Sequence, residues 1–254
     1  MAYQISKRQW AFSIAYGQGM ITLLTVLNVF YPQYLRYTFI IFIIGMVVFT
    51  AIMMKSQLKH ITSKAAKEIK QGRRLYKSNP SEIRQLQALD RKLVSELKPM
   101  MKSAGISFLS MIVVFIWYPI YFRYANAVAS SHVDLPVRIA VFLAGYEIPY
   151  VAITLLNLWS RKMVTNVVQV INSYEVYNTG VLGMGLAIKF PMCEDEEGSK
   201  YEVVYNPSRK FIEFVLRRGK TTVRYRLYCK SCDRLADIIK RYGKPKKFIV
   251  VREG

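Results

Sequence analysis

Three groups of residues in this chain have the type and spacing to do chemistry. Glu147 is an acid roughly midway along an apolar run, Val137–Trp159, with Pro149 two positions on. An ionisable side chain in such a run is a functional candidate by default. The proline strips one backbone carbonyl of its helical donor and adds local polarity. Other polar groups sit in comparable runs: Gln18 and Asn28, Ser107 and Ser110, Thr154 and Asn157, with Arg36 and Arg123 at run ends. Glu147, Ser107, Ser110, Thr154, Asn157 and Arg123 are the candidates for a polar groove. The plainer account has Glu147 pairing with Arg123 or another polar group to fix packing. The arginines would then simply reach to the interface, and Gly17 and Gly19 would be close packing points.

The second group is basic: Lys64, Lys67, Lys70, Arg73, Arg74 and Lys77. Such a cluster is either a solvated face that also signals topology, or a platform for an anionic partner, RNA or acidic lipid headgroups. The third is Cys229-Lys-Ser-Cys232, with C-x-x-C spacing. A lone pair with no histidine near it in sequence does not make a zinc site. A cytoplasmic location would keep the thiols reduced. The acidic run Cys193-Glu-Asp-Glu-Glu-Gly198 reads as a solvated loop. No metal and no cofactor is expected.

The elements that must position these groups are mostly membrane helices. The chain has 254 residues, 52% hydrophobic, yet its formal net charge is +21. Its mean hydropathy is +0.16. Residues 10–30, 37–54, 104–122 and 137–159 are apolar stretches of roughly 18–23 residues, and about 20 residues of helix cross ~30 Å of hydrocarbon. A soluble nucleic-acid binder matches the charge but not these stretches. The first stretch is too long for a signal peptide, and Tyr31-Pro32-Gln33-Tyr34 is no cleavage site. Between Lys55 and Lys102 lie thirteen Lys or Arg against four acids, whereas the 31–36 and 123–138 loops are nearly free of charge. The positive-inside rule then places both termini and the central segment in the cytoplasm. Tyr31, Tyr34, Tyr37, Tyr118, Tyr121 and Tyr124 would form an outer aromatic belt.

The expected fold is an α-helical membrane protein of four transmembrane helices with a cytoplasmic helical hairpin and a small cytoplasmic α+β domain. Its parts are 1–54, a transmembrane hairpin; 55–102, the basic hairpin; 103–163, a second transmembrane hairpin; and 164–254, a β-rich domain. In the basic hairpin, a first arm runs from Ser56 to about Tyr76. Ser78-Asn79-Pro80-Ser81 breaks it, and Ser81 caps a second arm carrying Ile83, Leu86, Leu89, Leu93 and Leu97 in a narrow stripe. In the last part, 163–171 continues as helix, and 201–205, 211–216 and 221–228 are strands. Val223, Tyr225 and Leu227 would face a core, with Thr222, Arg224 and Arg226 on the open face. Ser231 caps a helix bearing Leu235, Ile238, Ile239 and Tyr242, and 248–251 is a last strand. Strands followed by a helix loosely suggest a pleckstrin-homology-like module.

Layout and short motifs together resemble the YidC/Oxa/Get insertase superfamily, in its archaeal branch related to the third subunit of the endoplasmic reticulum membrane complex. The carriers are Leu86-Gln-Ala-Leu-Asp-Arg-Lys-Leu-Val-Ser-Glu-Leu-Lys-Pro-Met-Met-Lys102, the aromatic Phe115-Ile-Trp-Tyr-Pro119 and the ending Trp159-Ser-Arg-Lys-Met163. The resemblance implies a factor that helps hydrophobic segments enter the cell membrane through a polar intramembrane groove. Its hairpin would contact a ribosome or nascent membrane proteins, a partner subunit completing the groove is an open alternative, and no covalent chemistry would be needed. The alternative class is a membrane-anchored scaffold that binds RNA, ribosomes or acidic lipids and moves no substrate. Glycine-rich phosphate loops, His-Glu metalloprotease helices and Gly-x-Ser-x-Gly elbows are all absent, so an enzyme is not expected. Nor is DNA an expected partner.

Overall fold

The computed structural model describes residues 7–31, 37, 40–41, 44–45, 47–49, 51–52, 64–131, 134–192, 201–218 and 221–251. Two compact units divide the chain: 1–53 with 101–163, and 54–100 with 164–254.

The first unit is helical. Among the described residues three helices are long and apolar enough to cross a membrane, with spans at Trp10–Phe30, Arg91–Ser130 and Leu135–Ser160. They correspond to α1 (Lys7–Phe30), α4 (Arg91–Ser130) and α5 (Leu135–Lys162). The expected span 37–54 falls largely outside the described residues. Those of its residues that are described are helical, and Tyr16 Oη of α1 donates to the Gly45 carbonyl at 2.6 Å. At 40 residues, α4 is about 60 Å long, twice the hydrocarbon thickness. Its charged start, with Arg91, Lys92, Glu96 and Lys98, therefore extends beyond any hydrocarbon layer.

Small residues let these helices approach closely. A Cβ on Gly145 of α5 would lie 2.6 Å from the Tyr121 ring of α4, and one on Gly17 of α1 would lie 2.7 Å from the Tyr150 ring of α5. Ile21, Leu24, Phe122, Ala125, Phe142 and Tyr146 form the buried centre.

The second unit is α+β, and it departs from the expected hairpin. Residues 64–100 do not pair with each other as two helical arms. They form α2 (Lys64–Lys70), β1 (Arg74–Lys77), α3 (Pro80–Leu89) and the start of α4. β1 joins a four-stranded antiparallel sheet, order β1-β3-β4-β5, with β3 (Tyr174–Tyr177), β4 (Gly180–Gly183) and β5 (Leu186–Lys189). The helix of the first arm ends at Lys70, and at Gly72 the side chains of Asn178 and Thr179 come so close that only a residue without a Cβ fits. Thr179 Oγ1 donates to the Ile69 carbonyl at 2.8 Å and Asn178 Oδ1 accepts from the Arg73 amide at 2.8 Å, so a distant turn ends α2. Asn79, not Ser81, caps α3: its Oδ1 accepts from the Ser81 amide at 3.2 Å.

The leucine stripe buries itself as its periodicity requires, but into a sheet core. Ile83 and Leu93 share that core with Val176, Val203, Phe214 and Leu227. Leu89 is the exception, 77% exposed, because α3 ends there.

The five-stranded sheet has the order β2-β8-β7-β6-β9, with β2 and β9 parallel to their neighbours. Its strands are β2 (Asn166–Val170), β6 (Tyr201–Asn206), β7 (Phe211–Arg218), β8 (Thr221–Tyr228) and β9 (Lys247–Val250). Helix α6 (Cys232–Ile238) precedes a π turn, Ile239–Gly243. The expected helical continuation through 163–171 is instead β2, whose Val167 and Val168 are buried. Ser231 stands at the start of α6, but its side chain makes no capping bond.

Candidate functional site

The α+β unit is organised around buried charge. Arg226 on β8 is fully buried, as is Glu213 opposite it on β7. Arg226 Nε donates to Glu213 Oε1 at 2.6 Å, and Arg224 Nη2 donates to Glu213 Oε2 at 2.6 Å. On the other side are two carboxylates from the N-terminal segment. Asp90 Oδ2 accepts from Tyr228 Oη at 2.6 Å and from Arg209 Nη2 at 2.8 Å. Glu96 Oε1 accepts from Arg209 Nη1 at 2.8 Å, while its Oε2 lies 2.5 Å from Arg226 Nη2 as an ion pair rather than a directed hydrogen bond. The Phe211 ring lies beneath both guanidinium groups, at 4.1 Å from Arg226 and 4.9 Å from Arg209.

Burial alone would raise the Asp90 carboxyl. Hydrogen bonds from Arg209 and Tyr228, with the charges of Arg209 and Arg226, outweigh it and hold the group below the usual carboxylate range. Alternation along β8 therefore separates its two faces as expected for Val223 and Leu227. The face that carries Arg226 is nonetheless covered, and by Asp90 and Glu96. The sequence signal for this was faint: two of the four acids in a strongly basic stretch.

The structure splits the basic cluster. Lys64's side chain lies outside the described residues. Lys67, Lys70 and Arg73 are exposed, and the two lysines occupy the last turn of α2, where cations also offset the helix dipole. Arg74 and Lys77, on edge strand β1, lie 3.3 and 3.9 Å from Glu175. Cys229 and Cys232, expected as free thiols, are joined in a disulfide with Cα atoms 5.1 Å apart. The turn from β8 into α6 brings them within bridging range, which compartment alone did not suggest.

In the helical unit the polar candidates come together in pairs. Gln18 Nε2 of α1 donates to Glu147 Oε2 at 3.4 Å, so Glu147 has Gln18 beside it, while Arg123 is exposed. Ser107 Oγ of α4 donates to Asn157 Oδ1 of α5 at 2.9 Å. Ser110, buried, donates to the Ser107 carbonyl at 2.8 Å, and Thr154 shares a hydrogen bond with Tyr150. The carbonyl that Pro149 leaves without a backbone donor is that of Gly145, and Trp117 Nε1 donates to it at 2.9 Å. Asn28 is wholly buried, and its Nδ2 donates to Tyr146 Oη at 2.5 Å. Among the described residues Asn28 Oδ1 and Thr25 Oγ1 find no partner.

A partly open cavity of about 190 Å³ lies between α1, Phe49, α4 and α5. None of the six groove candidates lines it, and its wall is aliphatic and aromatic.

A protein family described as "Predicted membrane protein (DUF2208)" matches residues 13–242 of the chain. No curated protein and no solved structure matches it.

Proposed function

The chain belongs to the DUF2208 family of predicted membrane proteins, and from that premise we propose that it is a membrane-anchored scaffold whose basic α+β unit binds an anionic macromolecule, RNA foremost, at the cytoplasmic face. One observation carries this reading. Of the 37 Lys and Arg, 29 fall in residues 54–100 and 164–254, against 14 of the 16 acids. Three of those acids, Asp90, Glu96 and Glu213, are turned inward to arginines. Exposed cations occur beside both sheets, Lys67, Lys70 and Arg73 at one and Arg217 and Lys247 at the other. A folded RNA can engage several faces of a unit, whereas a flat bilayer meets one. The positive-inside rule supports the cytoplasmic placement, whereas the Cys229–Cys232 disulfide, which a reducing compartment disfavours, stands against it. No covalent chemistry enters the proposal.

The test is a salt titration of RNA binding to the full chain in neutral-lipid nanodiscs. Replacing Lys67, Lys70 and Arg73 by glutamate is expected to weaken binding at least tenfold. It should also flatten the log–log salt slope by about 2, as for three lost phosphate contacts at roughly 0.7 each on single strands. Equal binding by the variant removes these residues from the proposal. Binding to anionic vesicles but not to RNA would move the partner to acidic lipid.

A second reading, insertase-like assistance to nascent membrane proteins, is favoured by the Gln18–Glu147 and Ser107–Asn157 pairs between spans. It requires water along those pairs. Single cysteines at Ser107, Ser110, Glu147, Thr154 and Asn157, in a background lacking the native cysteines, should then react with an impermeant thiol reagent from the cytoplasmic side. Protection at all five positions eliminates a resting groove.

A further inference from the structure

We propose that the cavity among α1, Phe49, α4 and α5 is a binding site for a hydrocarbon chain of a membrane lipid. It sits within a unit whose helices are long and apolar enough to cross a bilayer, so the medium available to fill it is hydrocarbon. Water has little to hold it there. A buried water needs two to four polar partners, and apolar cavities of about 150 Å³ stay dry and take up benzene-sized ligands.

Four tyrosines line the wall, Tyr16, Tyr118, Tyr146 and Tyr150, and the hydroxyls of three of them bond protein groups. Tyr16 Oη donates to the Gly45 carbonyl at 2.6 Å, Tyr146 Oη accepts from Asn28 at 2.5 Å, and Tyr150 shares a hydrogen bond with Thr154. What faces the space is almost entirely carbon. Its volume, about 190 Å³, suits a stretch of chain and is far too small for a helix.

Two local features shape the site. Gly17 brings α1 against the Tyr150 ring, which a Cβ would meet at 2.7 Å. Pro149, part of the wall, stands in α5 where a regular helix would carry an amide. Trp117 satisfies the Gly145 carbonyl from outside the wall, so no backbone polar group is left needing water at that turn. A chain lying here would contact helices from three parts of the sequence. The inference rests on the spans crossing a bilayer and is independent of the anionic-partner reading.

The experiment uses the full chain in phosphatidylcholine vesicles doped with a phosphatidylcholine bearing an acyl-chain diazirine. Adducts are mapped by peptide mass spectrometry after illumination. The expected result is adducts on the wall, at Tyr118, Tyr146 or Tyr150, falling at least fivefold in each of two filling variants, Val114→Phe and Ile153→Trp. Adducts near Leu155, which is 61% exposed, should be unchanged in both. Wild-type adducts confined to exposed positions overturn the proposal without any variant. Wall adducts that persist in both variants overturn it as well. So does a rise in melting temperature on filling with no change in adducts, since that marks an empty cavity.

Discussion

Asp90 shows most clearly what single residues do in this protein. It joins β8 and the β6–β7 turn to the N-terminal segment, through Tyr228 and Arg209. Arg226 beside it is fully buried, and removing one partner of such a group typically costs about 3–5 kcal/mol because a charge is left uncompensated. Asp90→Asn should therefore lower the urea midpoint of the α+β unit by the equivalent of at least about 3 kcal/mol, read by pulse proteolysis of the full chain in detergent. The pH dependence has a definite sign. A carboxyl whose folded pKa lies below its ordinary 3.8 contributes stability that is fully present above that value and is lost as pH falls through the folded pKa. The gap between wild type and Asp90→Asn should be constant from about pH 8 to about pH 5 and should narrow below about pH 4. A gap that is flat into acid would contradict the assignment.

At the scale of elements, β1 is the part that separates the observed fold from an autonomous hairpin. It pairs antiparallel with β3, placing Lys77 opposite Glu175, and the Ser78 amide donates to the Tyr174 carbonyl at 3.0 Å while the Ser78 hydroxyl accepts from the Tyr174 amide at 2.8 Å. A helical pair would keep its structure without the C-terminal segment, whereas an edge strand cannot. Deleting 164–254 is expected to leave the amides of 74–77 exchanging within seconds, against strong protection in the full chain, by hydrogen–deuterium exchange. Protection that survives the deletion would restore the hairpin. The membrane helices follow a different logic. Their interiors hold few ionisable groups, and among the described residues most of their polar side chains bond one another or carbonyls such as that of Gly145, Thr25 Oγ1 and Asn28 Oδ1 being the exceptions. This is how helices stay satisfied where water is absent.

At the scale of the whole molecule, the chain separates two tasks. Residues 1–53 and 101–163 supply apolar helices, while 54–100 and 164–254 carry most of the charge. Because the α+β unit is assembled from both sides of a membrane hairpin in sequence, its folding depends on both segments being on the same side of the bilayer. The positive-inside bias of Lys55–Lys102 and the basic character of the C-terminal part act together towards that end.

Membrane character, strands at 201–205, 211–216 and 221–228, the first two of which run one and two residues further in the structure, and burial of Ile83 and Leu93 were legible in the amino-acid sequence alone, because they rest on local periodicity and on runs of apolar residues. The partner of the leucine stripe was not legible. A stripe states that a face must be buried but not against what, and here tertiary contacts supplied a sheet where a second helix was expected. Arg226 followed the same rule. Alternation placed it opposite Val223 and Leu227, and only the fold brought Asp90 and Glu96, more than a hundred residues away, to cover it. The polar membrane residues were legible as a set, but their pairing was not, and the cavity that none of the six candidates lines was invisible. Local pattern determines which surfaces need a partner; long-range packing decides which partner each one finds.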